Sequence, residues 1–261
     1  HSLRFFRRLQ SYFTHKTAEL KQFEDRIHYR FVNTYYLEKA LTHRSIKNHY
    51  EGNYERLEFL GDAIIDHVVS HWLFKKYVKS LTTIISEQDW VEVEILAESI
   101  FETWGNRQQM FLCGNGGSAG NAIHLANDFL YGIGSQIPGP GMKVEALAAN
   151  SAVLTCLAND VGYSEIYAEQ LLVKADAGDL LVVLSGSGNS PNVIRALEGG
   201  NEIGMKTFAI LGYTGGRCGE LAHVSVHFEV NDMQISEDLQ LIVGHMCMQW
   251  LSEKVKKSAE I

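Results

Sequence analysis

Three sets of residues in this chain have types and spacings suited to chemistry. The first is a series of glycine- and serine-rich turns. Cys113-Gly-Asn115-Gly116-Gly117-Ser118 and Ser185-Gly-Ser187-Gly-Asn-Ser190 each run from a short apolar segment directly into a helical pattern, and Gly212-Tyr-Thr-Gly-Gly216 follows a third apolar segment. Glycine lets backbone N–H groups approach an anion, serine adds hydroxyl donors, and a helix N-terminus adds a favourable dipole. The chain lacks both the P-loop lysine and GxGxxG, which argues against nucleoside triphosphates and dinucleotides. A serine cradle without lysine suits the phosphate of a small sugar.

The second set combines imidazoles and carboxylates. His124 and Asp128 are four apart and share one helix face, while Glu237 and His245, eight apart, share a face of a long last helix. Two histidines and two carboxylates suit Zn²⁺ or a similar divalent ion. The third set is Glu55, Glu58 and Asp62, at i, i+3 and i+7 on one helix face, as carboxylates that hold Mg²⁺ require.

Strands and helices must position these groups. Short apolar strand candidates recur at Met110–Cys113, Lys143–Leu147, Leu180–Leu184, Thr207–Leu211 and Val224–Val230. Helical patterns at Ala119–Tyr131, Ser190–Ile203 and Gln234–Val255 separate or follow them, and Gln88–Trp104 forms an amphipathic helix ahead of the first strand. Alternating strands and helices with glycine-rich turns give an α/β fold, a parallel sheet covered on both faces. Residues 1–80 read as all-helical instead, with apolar residues at helical spacing through Tyr36–Leu41, Leu57–Val69 and Trp72–Tyr77. The boundary is expected near Lys79–Thr83, giving domains 1–80 and 81–261. No Pro- or Gly-rich linker intervenes, so a continuous helical connection is expected.

Charge follows the same division. The 261 residues carry a net charge of −8, yet residues 1–80 hold 14 Lys and Arg against 9 Asp and Glu, and residues 81–261 hold 9 against 22. The four cysteines are scattered, with no CxxC or Cys/His cluster, which excludes a zinc finger or disulfide framework and fits a reduced, cytoplasmic setting. No apolar run approaches the roughly 18–20 residues a membrane-spanning helix needs, so no membrane partner is expected. The Arg-rich, aromatic start HSLRFFRRLQSYF could be taken for a transit peptide; a basic amphipathic first helix is the simpler reading.

CGNGGSAGNAIHLANDF, LTCLANDVGY, LSGSGNSPNVIRAL and EDLQLIVGHMCMQ, in this order, resemble the sugar isomerase (SIS) fold, and within it the phosphoheptose isomerases, over about residues 85–257. The resemblance implies a five-stranded parallel sheet flanked by helices. It also implies a homo-oligomer, tetramer or dimer, acting on a phosphorylated sugar, sedoheptulose 7-phosphate. It assigns the phosphate to Ser185, Ser187 and Ser190, sugar contacts to Asn115 and Ser118, a substrate contact to Asp160, and the acid/base pair to Asp128 and His245. It assigns a zinc site to His124, Asp128, Glu237 and His245. Three positions depart from the family pattern: Gly186 replaces a central threonine, Asp128 a longer glutamate, and Glu237 a glutamine. The resemblance also admits a non-catalytic role, as a sugar-phosphate sensor or a replication-initiator-binding adaptor.

Glu55-Arg-Leu-Glu-Phe-Leu-Gly-Asp62, with ALTHRS upstream, resembles the signature of ribonuclease III, an endonuclease of double-stranded RNA. That resemblance implies a metal site completed by a second acidic pair from a later helix. The match stops near Tyr77, and the acids that follow, Glu98 and Glu102, have the wrong spacing and come too early. Residues 1–80 are therefore expected to be an incomplete ribonuclease III-like fragment with vestigial acids Glu55, Glu58 and Asp62. RNA is a secondary partner and not the favoured one.

Overall fold

The computed structural model describes residues 18–42, 54–132 and 141–259; the amphipathic start at 1–13 and the second half of ALTHRS, residues 43–45, lie outside them. The chain divides into two compact units at the 80/81 junction. In the first, α1 (Ala18–Ile27) and α2 (Thr34–Ala40) are short. Glu24 of α1 holds the loop between them: its buried carboxylate accepts the Phe31 N–H at 2.8 Å. Then comes α3, one unbroken helix over Glu55–Glu87 that crosses the junction.

The second unit runs α4 (Val91–Gly105), β1 (Gln109–Gly114), α5 (Gly117–Asn127), a π-helical turn (Asp128–Gly132), β2 (Lys143–Ala146), α6 (Ser151–Asp160) and α7 (Ala168–Lys174). It continues with β3 (Leu180–Ser185), α8 (Pro191–Ile203), β4 (Lys206–Leu211), α9 (Gly216–Leu221), β5 (Val224–His227) and α10 (Met233–Ala259). The five strands are all parallel, in the order β2-β1-β3-β4-β5. Strand β3, Leu-Leu-Val-Val-Leu-Ser, is buried along its whole length, as a central strand covered on both faces must be.

Alternation along the strands divides the core into two layers. Phe111, Cys113, Leu181, Val183, Ala209 and Leu211 face a cluster with Tyr167, Leu171, Val193 and Leu197 from α7 and α8. The alternate residues, such as Leu112, Val182 and Ile210, face the other side, where α10 packs against α4 and α5. Caps fix the helix ends: the Asn150 side chain accepts from the N–H groups of Ala152 and Val153 and so starts α6. Gly204 closes α8 in the left-handed conformation.

Each expected strand is present, although the last ends at His227 instead of Val230. The three apolar patches expected in residues 36–77 divide between α2 and α3, and Leu57 through Tyr77 is a single helix. Gly61 and Ser70 do not interrupt it. Helices α6, α7 and α9 were not separately expected. They are short, and α6 packs a narrow stripe, Leu154, Leu157 and Ala158, only partly buried against the core.

Candidate functional site

Parallel strands that share one direction deliver their C-terminal ends, and the turns that follow, to one edge of the sheet. The turns after β1 and β3 enclose a cavity of about 260 Å³ there. Asn115, Gly116, Gly117 and Ser118 line one side, Ser185, Gly186, Ser187 and Ser190 the other, and Glu237 reaches in from α10. Every residue expected in the phosphate cradle is therefore in one place.

Local constraints hold the cradle open. The Ser185 Oγ accepts the Gly188 N–H at 3.1 Å, which folds the β3 turn back on itself. Gly188 has φ +66°, and a Cβ there would lie 1.9 Å from the Gly215 carbonyl oxygen, so only glycine fits. Ser190 starts α8 but makes no capping bond to it, and Pro191 occupies the first turn. Asn115 is fixed by a reciprocal amide pair with buried Asn192, at 2.7 and 2.8 Å, and by the Tyr163 hydroxyl at 3.2 Å. Sequence reasoning missed Asn192, which lies behind the cradle and acts on it through Asn115.

The His124–Asp128–His245 group lies at the far end of α5. The two Nε2 atoms are 3.0 Å apart, each lies 3.4 Å from Asp128 Oδ2, and the rings meet edge to face. Three features produce this. His124 is on the last turn of α5, and Asp128 opens the π-helical turn that follows, a distortion common at functional sites. Gly244, beside His245, lets α10 come close: a Cβ there would meet the Leu125 side chain at 2.3 Å. Asn121 Nδ2 donates to the Glu237 carbonyl and to Gln240 Oε1, which ties α5 to α10.

The three ligand atoms lie within 4.8 Å of one another and form the one such group among the described residues. Two imidazoles and a carboxylate, half open to solvent, fit a divalent ion with an open coordination position. Glu237 is not in the group. It sits two turns earlier on α10, about 12 Å along the axis, with its carboxylate against Gly117. Asp160 is apart from the cradle as well, exposed at the end of α6. Its carboxyl is held below the usual range by the Asn159 amide and the Cys156 thiol.

Among the described residues, Glu58 and Asp62 of the third set belong to no metal group. Glu58 and Asp62 stand exposed on α3, and the Glu55 side chain lies outside the described residues. The later acids are committed to lysines: Glu102 binds Lys206 at 2.7 Å, which lowers its pKa, and Glu98 pairs with Lys254. Lys254 also stacks over Phe101 and Trp250. These contacts join α4 to β4 and α10, a structural use of both acids.

A family model described as the SIS domain matches residues 73–212. The chain belongs to the SIS-domain family. A phosphoheptose isomerase of Chlorobaculum parvum is 35% identical over 176 residues, which cover 66% of this chain and 83% of that one. A phosphoheptose isomerase of Chlorobium phaeobacteroides is 42% identical over 152 residues, 58% of this chain and 66% of that one. The solved structure of a phosphoheptose isomerase from Neisseria gonorrhoeae superposes with a TM-score of 0.64 at 25% identity, covering 73% of this chain and 99% of that one. This SIS-domain chain thus pairs the family's sheet and serine turns with a carboxylate at position 237. Among its described residues no helix is long and apolar enough to cross a membrane.

Proposed function

We propose that the protein is a sugar-phosphate isomerase that interconverts sedoheptulose 7-phosphate and an aldoheptose 7-phosphate. The observation that carries this reading is the His124–Asp128–His245 group, an acid/base cluster assembled where α10 meets the far end of α5, the helix that starts in the phosphate cradle. Helix α5 begins at Gly117 and reaches His124 seven residues later, about 10 Å along its axis. An extended seven-carbon phosphate spans that distance with its phosphate at the helix start, and a triose phosphate does not.

Ser185, Ser187, Ser190 and the N–H groups of the two turns bind the phosphate, and Asn115 and Ser118 hold sugar hydroxyls. At the other end a proton leaves C1 of the ketose, beside the C2 carbonyl, and an enediolate forms. The proton returns at C2 while a hydroxyl proton passes from O1 to O2. Asp128 and His245 form the acid/base pair, and the second imidazole keeps the carboxylate oriented. A divalent ion, Zn²⁺ by its donor set, would be held by His124, Asp128 and His245. When bound it supplies positive charge for the developing enediolate. A homo-oligomer, tetramer or dimer, which the resemblance to the phosphoheptose isomerases implies, belongs to the same reading. The test is incubation with sedoheptulose 7-phosphate and divalent metal, followed by detection of aldoheptose phosphate; sugar-phosphate binding without conversion would support the sensor or adaptor role instead.

A further inference from the structure

The cavity between the two serine turns holds a charged side chain whose sign opposes that of a phosphate. Among the residues that line it only Glu237 is ionised, and no lysine, arginine or histidine is present. Its donors are neutral: the hydroxyls of Ser118, Ser185, Ser187 and Ser190 and the backbone N–H groups of the turns.

The carboxylate stands at the start of α5. A Cβ on Gly117, the first residue of that helix, would lie 2.3 Å from Glu237 Oε2 and 2.4 Å from Oε1, so glycine is what admits it. No side chain caps this helix end, and its partial positive charge faces Glu237. The glutamate gives its backbone carbonyl to Asn121 Nδ2, while its carboxylate has no hydrogen-bond or ion-pair partner among the described residues. Two helix starts, of α5 and α8, border the cavity, and an internal anion already occupies the first.

Met233 extends the change. It lies one turn before Glu237 on α10 and lines the same cavity. A Cβ on Gly186 would lie 2.5 Å from its Sδ, so the thioether fills space beside the position where the family pattern has threonine. Against that pattern the cradle has one hydroxyl fewer and one negative charge more. At the dielectric of a protein surface, a like charge a few ångströms away weakens binding about ten-fold or more for each charge the ligand carries. A phosphate monoester carries two negative charges above about pH 6. A sulfate monoester has the same tetrahedral shape and carries one.

Resting on the proposed function of this cavity as the seat of the substrate's phosphate, we infer that Glu237 sets the charge the cradle accepts. It takes tetrahedral esters with a single negative charge, a sulfate monoester or a phosphate monoester that keeps one proton, in preference to a phosphate dianion. In the phosphate ester the retained proton lies between one of its oxygens and the Glu237 carboxylate, a charge-assisted hydrogen bond. The remaining oxygens accept from the serine hydroxyls and the N–H groups.

The test titrates the full chain by calorimetry at about pH 8, where a phosphate ester is a dianion. The probes are the 7-phosphate and 7-sulfate esters of the heptitol made by reducing sedoheptulose; without a carbonyl, neither can isomerise. The parent is expected to bind the sulfate ester at least as tightly as the phosphate ester. Glu237→Gln removes the charge and keeps the size, and should shift the ratio of the two affinities about ten-fold or more toward the phosphate ester. Glu237→Asp keeps the charge and should leave the ratio close to that of the parent. A strong preference of the parent for the phosphate ester, or an unchanged ratio in Glu237→Gln, would overturn the inference and leave the cradle assignment standing. An equal shift with aspartate would trace the effect to shape and overturn it too. Binding of neither ester by any of the three proteins would overturn the cradle assignment itself, and the inference with it.

Discussion

The sheet of the second unit and helix α3 of the first are both rich in apolar residues, but they use them in opposite ways. In β3 the residues Leu180–Leu184 are fully enclosed, and the strand's only task is to present Ser185 at the cradle. In α3, apolar residues of the same size stand in solvent. The difference shows where the described residues enclose their apolar side chains and where they do not. A strand has two faces, and this chain supplies helices for both. A long helix with apolar residues around most of its circumference needs neighbours on several sides, and the described helices of its unit do not supply them.

Substitutions that probe this contrast separate by size. The largest effect belongs to the sheet. Val183→Asp places a charge without a partner between two packed layers and should cost more than about 4 kcal/mol, enough to unfold the unit; chemical denaturation would measure it. Stability within 1 kcal/mol of the parent would mean that the sheet is not the folded core. Next is chemistry without loss of fold. His245→Ala should lower turnover by about a thousand-fold or more and leave the denaturation midpoint nearly unchanged, because the ring is half exposed. Ser190→Ala should act mainly on KM, raising it about ten-fold, the worth of one hydrogen bond to a charged group. Ile64→Glu on α3 should alter the stability of the isolated chain by less than about 0.5 kcal/mol. A large loss there would erase the contrast.

The smallest effect concerns the thiols. Burial raises the thiols of Cys218 and Cys247 to about 12 and that of Cys113 further, so none of the three should react in the native state. Cys156 is exposed, but its hydrogen bond to Asp160 and that carboxylate's charge raise its pKa. Alkylation at pH 8 should therefore label Cys156 alone and slowly. Asp160→Asn removes the charge that opposes the thiolate and should speed labelling a few-fold.

The sequence disclosed the parts of the fold that depend on local pattern. β1 and β3 hold continuous apolar runs, and the serine turns follow directly from them, so the cradle was legible residue by residue. His124 and Asp128 were legible because four residues on a helix is one turn. Glu237 was placed with them on helix-face logic alone. Spacing by eight keeps a residue on the same general side but moves it two turns along, and here that brings it to the phosphate end. The pairing of Asn115 with Asn192 joins two strand–helix junctions 77 residues apart, and no local spacing announces it. The length of α3 was hidden by Gly61 and the serines at 70 and 80, which resemble turn residues but are tolerated where flanking residues propagate the helix.

The most direct test of the central claim is conversion of sedoheptulose 7-phosphate by the full chain supplied with divalent metal, beside the His245→Ala variant. The account expects aldoheptose phosphate from the parent, and from the variant intact sugar-phosphate binding with turnover lowered at least about a thousand-fold. Equal turnover by the two proteins, or tight binding without conversion by the parent, would contradict it.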